Sequence, residues 1–183
     1  MDRRNAIVTL SGALVASALA AVPRRSSVAQ TALPNSAATP GPYVPPAQYQ
    51  AQTLDVGAFL KQTSELALVH ATHPTVKQFA QFETAEQLTM AQVLTDSANP
   101  PSAPLDPQHA ALLQQLEVQV GRGFDAAYVQ TQIDAHRELF VIQETFLRGV
   151  TAELDYQHIA MLARTVIQMH LTMLQDIRNQ LNA

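Results

Sequence analysis

Cysteine is absent from this chain of 183 residues. Its absence excludes disulfide bonds, thiolate metal ligands, a cysteine nucleophile and lipid attachment through a cysteine side chain. Glycine is scarce as well: the six glycines are dispersed, and they form neither a phosphate-binding loop nor the Gly-x-Ser-x-Gly motif of hydrolases. The sequence therefore does not indicate a nucleotide-binding protein or a hydrolase, and its fold must be stabilised by the packing of apolar residues.

Basic residues are also few. From Gln30 onward the chain has seven Lys and Arg against 14 Asp and Glu, and the basic residues are scattered singly. Binding to a phosphate backbone needs clustered Lys and Arg that displace counterions. We therefore expect no nucleic acid partner.

The N-terminus has the pattern of an export signal. Arg3 and Arg4 precede an Ala-rich apolar run over residues 6–21, which is shorter than the roughly 20 strongly apolar residues of a membrane-spanning helix. Ser27-Val28-Ala29 has the small-x-small form of a cleavage site. We predict a signal peptide over residues 1–29, of the twin-arginine type or the general secretory type. The mature protein is then periplasmic or secreted and has no membrane span.

Composition changes twice after this segment. Residues 30–53 contain five prolines among Ser, Thr, Ala and Gly, which predicts a disordered linker. From Leu54 onward apolar residues recur three and four positions apart, and no alternating strand pattern follows. We predict one all-α domain over residues 54–183, folded as an up-down bundle of four to five helices.

Capping and breaking residues set the predicted helices. The first begins near Asp55 and is broken at His73-Pro74, where the second restarts; Asp106-Pro107 opens a short third helix. The fourth runs from Phe124 to Gly149 and the fifth follows Thr151. The predicted buried face of the fifth helix consists of Ile159, Leu162, Val166, His170, Met173 and Ile177.

Polar residues interrupt three of the predicted buried faces: Glu83 and Gln87, His136, and His170. A buried polar group without a partner costs about 1–3 kcal/mol, so we expect these side chains to meet. One interpretation is a metal site of Glu83, His136 and His170, completed by Glu86 or Gln87, for iron, manganese or zinc. The other is a hydrogen-bonded core network with no cofactor. Glu-x-x-His pairs are absent, which argues against a dinuclear ferroxidase.

Several segments resemble a known family. They are Leu66-Ala67, residues 72–80, Phe124-Asp125-Ala126-Ala127-Tyr128 with His136, and His170-Leu171. Together they resemble the ferritin-like "domain of unknown function 4142" family of exported bacterial proteins. The resemblance implies a ferritin-like helical bundle outside the cytoplasm, with no established reaction. Family members commonly carry an Asp-His pair late in the second helix, where this chain has Glu86 and Gln87.

Two functions follow from these observations. The first is a non-enzymatic exported bundle that acts through binding to an unknown protein or envelope partner, as in stress tolerance, with no catalytic residues and no cofactor. The second is a metal-binding ferritin-like protein, redox-active or not, that holds an ion inside the bundle. The two differ in whether Glu83, His136 and His170 converge on one point.

Overall fold

The computed structural model describes residue 41 and residues 43–101, 104–149 and 153–183. They form five helices: α1 (Pro46–His70), α2 (Pro74–Thr95), α3 (Pro107–Glu117), α4 (Gly121–Arg148) and α5 (Leu154–Leu181). These ranges contain no strand, so the predicted all-α class is confirmed. None of the described helices is long and apolar enough to cross a membrane. The predicted signal peptide and the predicted linker as far as residue 40 lie outside the described residues.

The start of α1 corrects one predicted boundary. The helix begins at Pro46, well before Asp55, because proline is tolerated at a first helical position where no N–H donor is needed. Tyr49 is completely buried, and its ring stacks on Phe146 of α4 at 4.1 Å between centroids. The prediction that residues 46–53 belong to a disordered linker was wrong, since this segment packs into the core.

The predicted break at His73-Pro74 is present and is tied to α4. Asp125, which is 1% exposed, accepts hydrogen bonds from the backbone N–H groups of Thr72 and His73 at 2.9 and 3.0 Å. One buried carboxylate thus satisfies donors at the start of α2 that have no partner within the helix. The link sets where α2 begins relative to α4.

Contacts near the helix ends define the chain directions. The N-terminal part of α1 meets the C-terminal parts of α2 and α4, through Gln50 to the carbonyl of Leu94 and through Tyr49 to Gln143 at 2.7 Å. Arg164 in the first half of α5 pairs with Glu144 near the end of α4 at 3.0 Å. Consequently α1 and α5 run one way and α2 and α4 the other. The connection through α3 is the long crossover that lets α2 and α4 run parallel.

The core combines apolar packing with a polar layer. Its largest buried side chains include five aromatic residues, Tyr49, Phe59, Phe124, Tyr128 and Phe146. The buried polar residues are Thr53, Thr63, Ser64, Glu83, Gln87, His109, Asp125, Gln132, His136, Gln143 and His170. Because buried polar groups need partners, this layer is where specific chemistry is expected.

Candidate metal centre

Three predicted residues meet inside the bundle: Glu83 on α2, His136 on α4 and His170 on α5. Their exposed fractions are 0%, 0% and 4%. His136 Nε2 lies 3.1 Å from His170 Nδ1 and 3.4 Å from Glu83 Oε2. His170 Nδ1 lies 3.1 Å from the same oxygen, so three ligand-type atoms form one small triangle.

Helical spacing brings these residues into the core. Glu83 lies four positions after Phe79 and His170 lies three after Ile167, each a buried residue on the same face of its helix. The Phe79 ring lies 5.3 Å from the His170 ring and 6.1 Å from the His136 ring, measured between centroids. This ring forms an apolar wall beside the triangle and keeps water from that side.

Hydrogen bonds on the side away from the triangle orient the side chains that form it. His136 Nδ1 lies 2.8 Å from the backbone carbonyl of Gln132 and must donate to it, which leaves Nε2 of the neutral ring without a proton. Gln87 donates to Glu83 Oε1 at 2.9 Å. Within the described residues Glu83 Oε2 makes no hydrogen bond, although it faces both histidines. These partners hold the lone pairs of His136 and Glu83 toward a common point.

Glu86 lies on the other side of His170 from the triangle. Its Oε2 is 3.4 Å from His170 Nε2, and its side chain is 32% exposed. A carboxylate behind an imidazole fixes the ring and makes the opposite nitrogen a better ligand. Glu86 thus contacts the nitrogen of His170 that points away from the triangle, whereas the sequence-based interpretation made it a direct ligand.

The charges of the cluster are strongly coupled. Burial raises the pKa of Glu83, but the charges of His136 and His170, whose ring nitrogens lie within 3.4 Å of its carboxylate, outweigh burial and hold that pKa well below its usual range. Burial lowers the pKa of His170, but Glu83 and Glu86 more than offset it and raise the pKa above its ordinary value. Burial also raises the pKa of Glu86, and the charge of Glu83 contributes to the rise. Glu83 is therefore anionic within the cluster.

The triangle has the dimensions of a ligand set. Nitrogen and oxygen ligands of zinc lie about 2.0–2.2 Å from the ion, which puts neighbouring ligands about 2.8–3.6 Å apart at angles between octahedral and tetrahedral. The observed separations of 3.1, 3.1 and 3.4 Å fall in that range. Two imidazoles and one carboxylate are also a recurring set for zinc and for non-haem iron.

A polar network that the sequence did not reveal lies next to this cluster. The side chain of Gln132 donates to Thr63 Oγ1 at 2.8 Å, and Ser64 lies 2.9 Å from the hydroxyl of Tyr128. Burial raises the pKa of Tyr128 well above its ordinary value, so this phenol stays neutral. Gln132 lies one helical turn before His136, and that spacing was the available signal.

The fold and the cluster define a class: an all-α bundle with a buried carboxylate and two imidazoles at its centre. The profile of the family described as "Domain of unknown function (DUF4142)" matches residues 31–177. The chain belongs to this family, which confirms the resemblance seen in its sequence.

Among solved structures, the fold is similar to the crystal structure of a DUF305 fragment from Deinococcus radiodurans. The TM-score is 0.64 at 14% identity, over 76% of this chain and 99% of that chain. At this identity the likeness concerns the fold alone. No curated protein matches the chain.

Proposed function

We propose that the protein binds one divalent transition-metal ion inside the bundle, with Glu83, His136 and His170 as its ligands. The observation that carries the proposal is the convergence of the three ligand atoms within 3.4 Å of one another in a site sealed by the core. Imidazole and carboxylate ligands suit iron, manganese or zinc.

The hydrogen-bond arrangement favours a metal over a purely polar network. His136 Nδ1 gives its proton to Gln132, and Glu86 is placed to accept from His170 Nε2. When both histidines are neutral, as metal binding requires, the inner atoms of the triangle are three acceptors with no donor between them. A single extra proton can bridge only two of these atoms well, whereas a metal ion satisfies all three.

The proposed site is mononuclear. Dinuclear carboxylate centres in bundles use a Glu from each of two helices and a Glu-x-x-His motif from each of the other two. The cluster here has three ligands, which leaves positions on the ion for water or a small ligand. Metal binding without catalysis is the role we propose, in a protein exported to the periplasm or beyond, as the sequence of residues 1–29 suggests.

Metal titration of purified protein tests the proposal. The protein is prepared without an affinity tag, its metal content is measured by mass spectrometry, and Zn²⁺, Mn²⁺ and Fe²⁺ are titrated separately. We expect an ion that is lost in a His136→Ala, His170→Ala double variant. His158→Ala is the matched control, because it removes an exposed histidine from α5. Equal metal binding by wild type and double variant would overturn the proposal and leave a polar core network.

A further inference from the structure

A second group of ligand-type side chains lies where α3 meets α1. Asp55 belongs to α1, Asp106 caps α3, and His109 is in the first turn of α3. Their ligand atoms all lie within 4.8 Å of one another. The His109 side chain is 3% exposed, and those of Asp55 and Asp106 are 27% and 43% exposed. The group is therefore anchored in the core and open to solvent on its carboxylate side.

Each aspartate accepts a backbone hydrogen bond with one carboxylate oxygen and directs its other oxygen toward His109. Asp106 Oδ1 accepts from the backbone N–H of His109 at 2.9 Å, and Asp55 Oδ1 accepts from the backbone N–H of Asp106 at 3.2 Å. The remaining oxygens lie 3.1 and 3.2 Å from His109 Nδ1. Two carboxylate oxygens and one ring nitrogen therefore point at the same place.

The ring of His109 is fixed in this orientation. It stacks on Phe59 with 4.4 Å between ring centroids, and its Nε2 lies 3.3 Å from Glu138 Oε2 on α4. A neutral imidazole that donates from Nε2 to Glu138 keeps the lone pair of Nδ1 directed at the aspartates. A carboxylate behind a histidine in this way is the usual outer partner of a metal-binding imidazole.

Charge supplies an independent argument. Over the part of the chain that the structure describes, Asp55, Asp106 and Glu138 have His109 as their shared ion-pair partner. Even a protonated imidazole balances one of three carboxylates. With His109 neutral, a divalent cation would offset two of the three negative charges.

We propose that Asp55, Asp106 and His109 form a second, solvent-accessible site for a divalent transition-metal ion, with Glu138 as its positioning residue. One imidazole with carboxylates and water suits zinc or manganese. An ion bound here links α1 to α3 through its ligands and so stabilises the packing of the crossover against the bundle. The proposal uses none of the core ligands and stands apart from the core site.

Calorimetric titration of the full chain with Zn²⁺ tests this site. We expect an Asp55→Asn, Asp106→Asn variant to lose one binding event, because asparagine keeps the oxygen that accepts from the backbone and remains a good helix cap. Glu138→Gln should weaken the same event about 10- to 100-fold without changing Tm. Asp134→Asn, an exposed aspartate of α4, is the matched control.

The reciprocal variant separates the two sites. Glu83→Gln should abolish Zn²⁺ binding at the core site and leave Zn²⁺ binding at the site of Asp55 and Asp106. Hydrogen exchange provides a second measurement: Zn²⁺ should slow exchange of the α3 amides in wild type and in Glu83→Gln, but not in the double asparagine variant. Unchanged Zn²⁺ binding in that double variant would overturn the second site, whatever Glu83→Gln shows.

Discussion

The core cluster and the α1–α3 cluster place similar side chains in different surroundings. In the core, Glu83 and both histidines are almost fully buried, so their charges interact strongly and have little water to stabilise them. At the α1–α3 contact, His109 is buried but its carboxylates reach solvent. Burial thus determines how much each cluster influences stability, whereas the orienting partners determine whether it can bind an ion.

The largest expected effect comes from breaking the core cluster. Glu83→Ala leaves two buried imidazoles without their carboxylate, and removing one partner of a buried ionic group costs about 3–5 kcal/mol. We expect the free energy of unfolding of metal-free protein to fall by that amount in urea denaturation. Asp55→Ala should cost about 1 kcal/mol or less, because the Asp55 carboxylate is itself partly exposed to solvent and Asp106 and Glu138 remain beside His109. Equal losses in the two variants would contradict the comparison.

The pH dependence of metal-free protein should also come from the core. His170 has a raised pKa in the folded state, so its stabilising contribution is complete below about pH 6.5 and is lost as the pH rises through the folded pKa. Glu83 has a lowered pKa, so its contribution is present above about pH 4.3 and is lost as the pH falls.

Denaturation across pH checks this expectation. The groups that face His170 are His136, Glu83 and Glu86, and all belong to the core cluster. Replacing His170 by Gln should remove the decline of stability above about pH 6.5. A decline that persists in this variant would place its origin outside the core cluster.

A smaller effect should appear at Gly57, which lies in α1 against Gln87. A Cβ atom at this position would lie 2.8 Å from Gln87 Oε1 and would displace the amide that orients Glu83. Gly57→Ala should therefore weaken Zn²⁺ binding at the core site by about 10-fold, which is the lower end of the loss expected when a residue that orients a metal ligand is displaced. Zn²⁺ binding at the Asp55–Asp106–His109 site should not change. Gly123→Ala is the control, since its nearest atom would be 3.7 Å away. Equal affinity in the two variants would show that Gln87 does not position Glu83.

The smallest effect is expected at an exposed ion pair that belongs to neither cluster. Lys61 and Glu65 lie one turn apart on α1 at 2.6 Å. Lys61→Ala should lower the free energy of unfolding by about 0.3–0.5 kcal/mol, because solvent screens such pairs. Thermal or urea denaturation gives this baseline, and a loss above 1 kcal/mol would mean that surface charge contributes more than burial suggests.

Sequence periodicity predicted the core cluster because it depends on local patterns. Glu83, His136 and His170 each occupy a buried position three or four residues from an apolar neighbour. The pattern was less reliable for α5, where the buried residues are Ala160, Ala163, Ile167, His170, Leu174 and Ile177. Leu162, predicted to be buried, is 71% exposed. Alanines form part of the buried face of α5, and a pattern based on large apolar residues does not detect them.

The second cluster could not be predicted from local patterns. The cap at Asp106 was expected, but His109 was indistinguishable from an ordinary first-turn residue. Its environment depends on the crossover, which brings α3 to Asp55 of α1 and Glu138 of α4. Periodicity within one helix carries no information about such long-range contacts.

The most direct test of the core site is a crystal structure of Zn²⁺-loaded protein with anomalous diffraction at the zinc edge. We predict an anomalous peak within about 2.2 Å of His136 Nε2, His170 Nδ1 and Glu83 Oε2. Protein that binds Zn²⁺ with no peak at that point, and with the His136–His170 contact still at 3.1 Å, would contradict the proposed function.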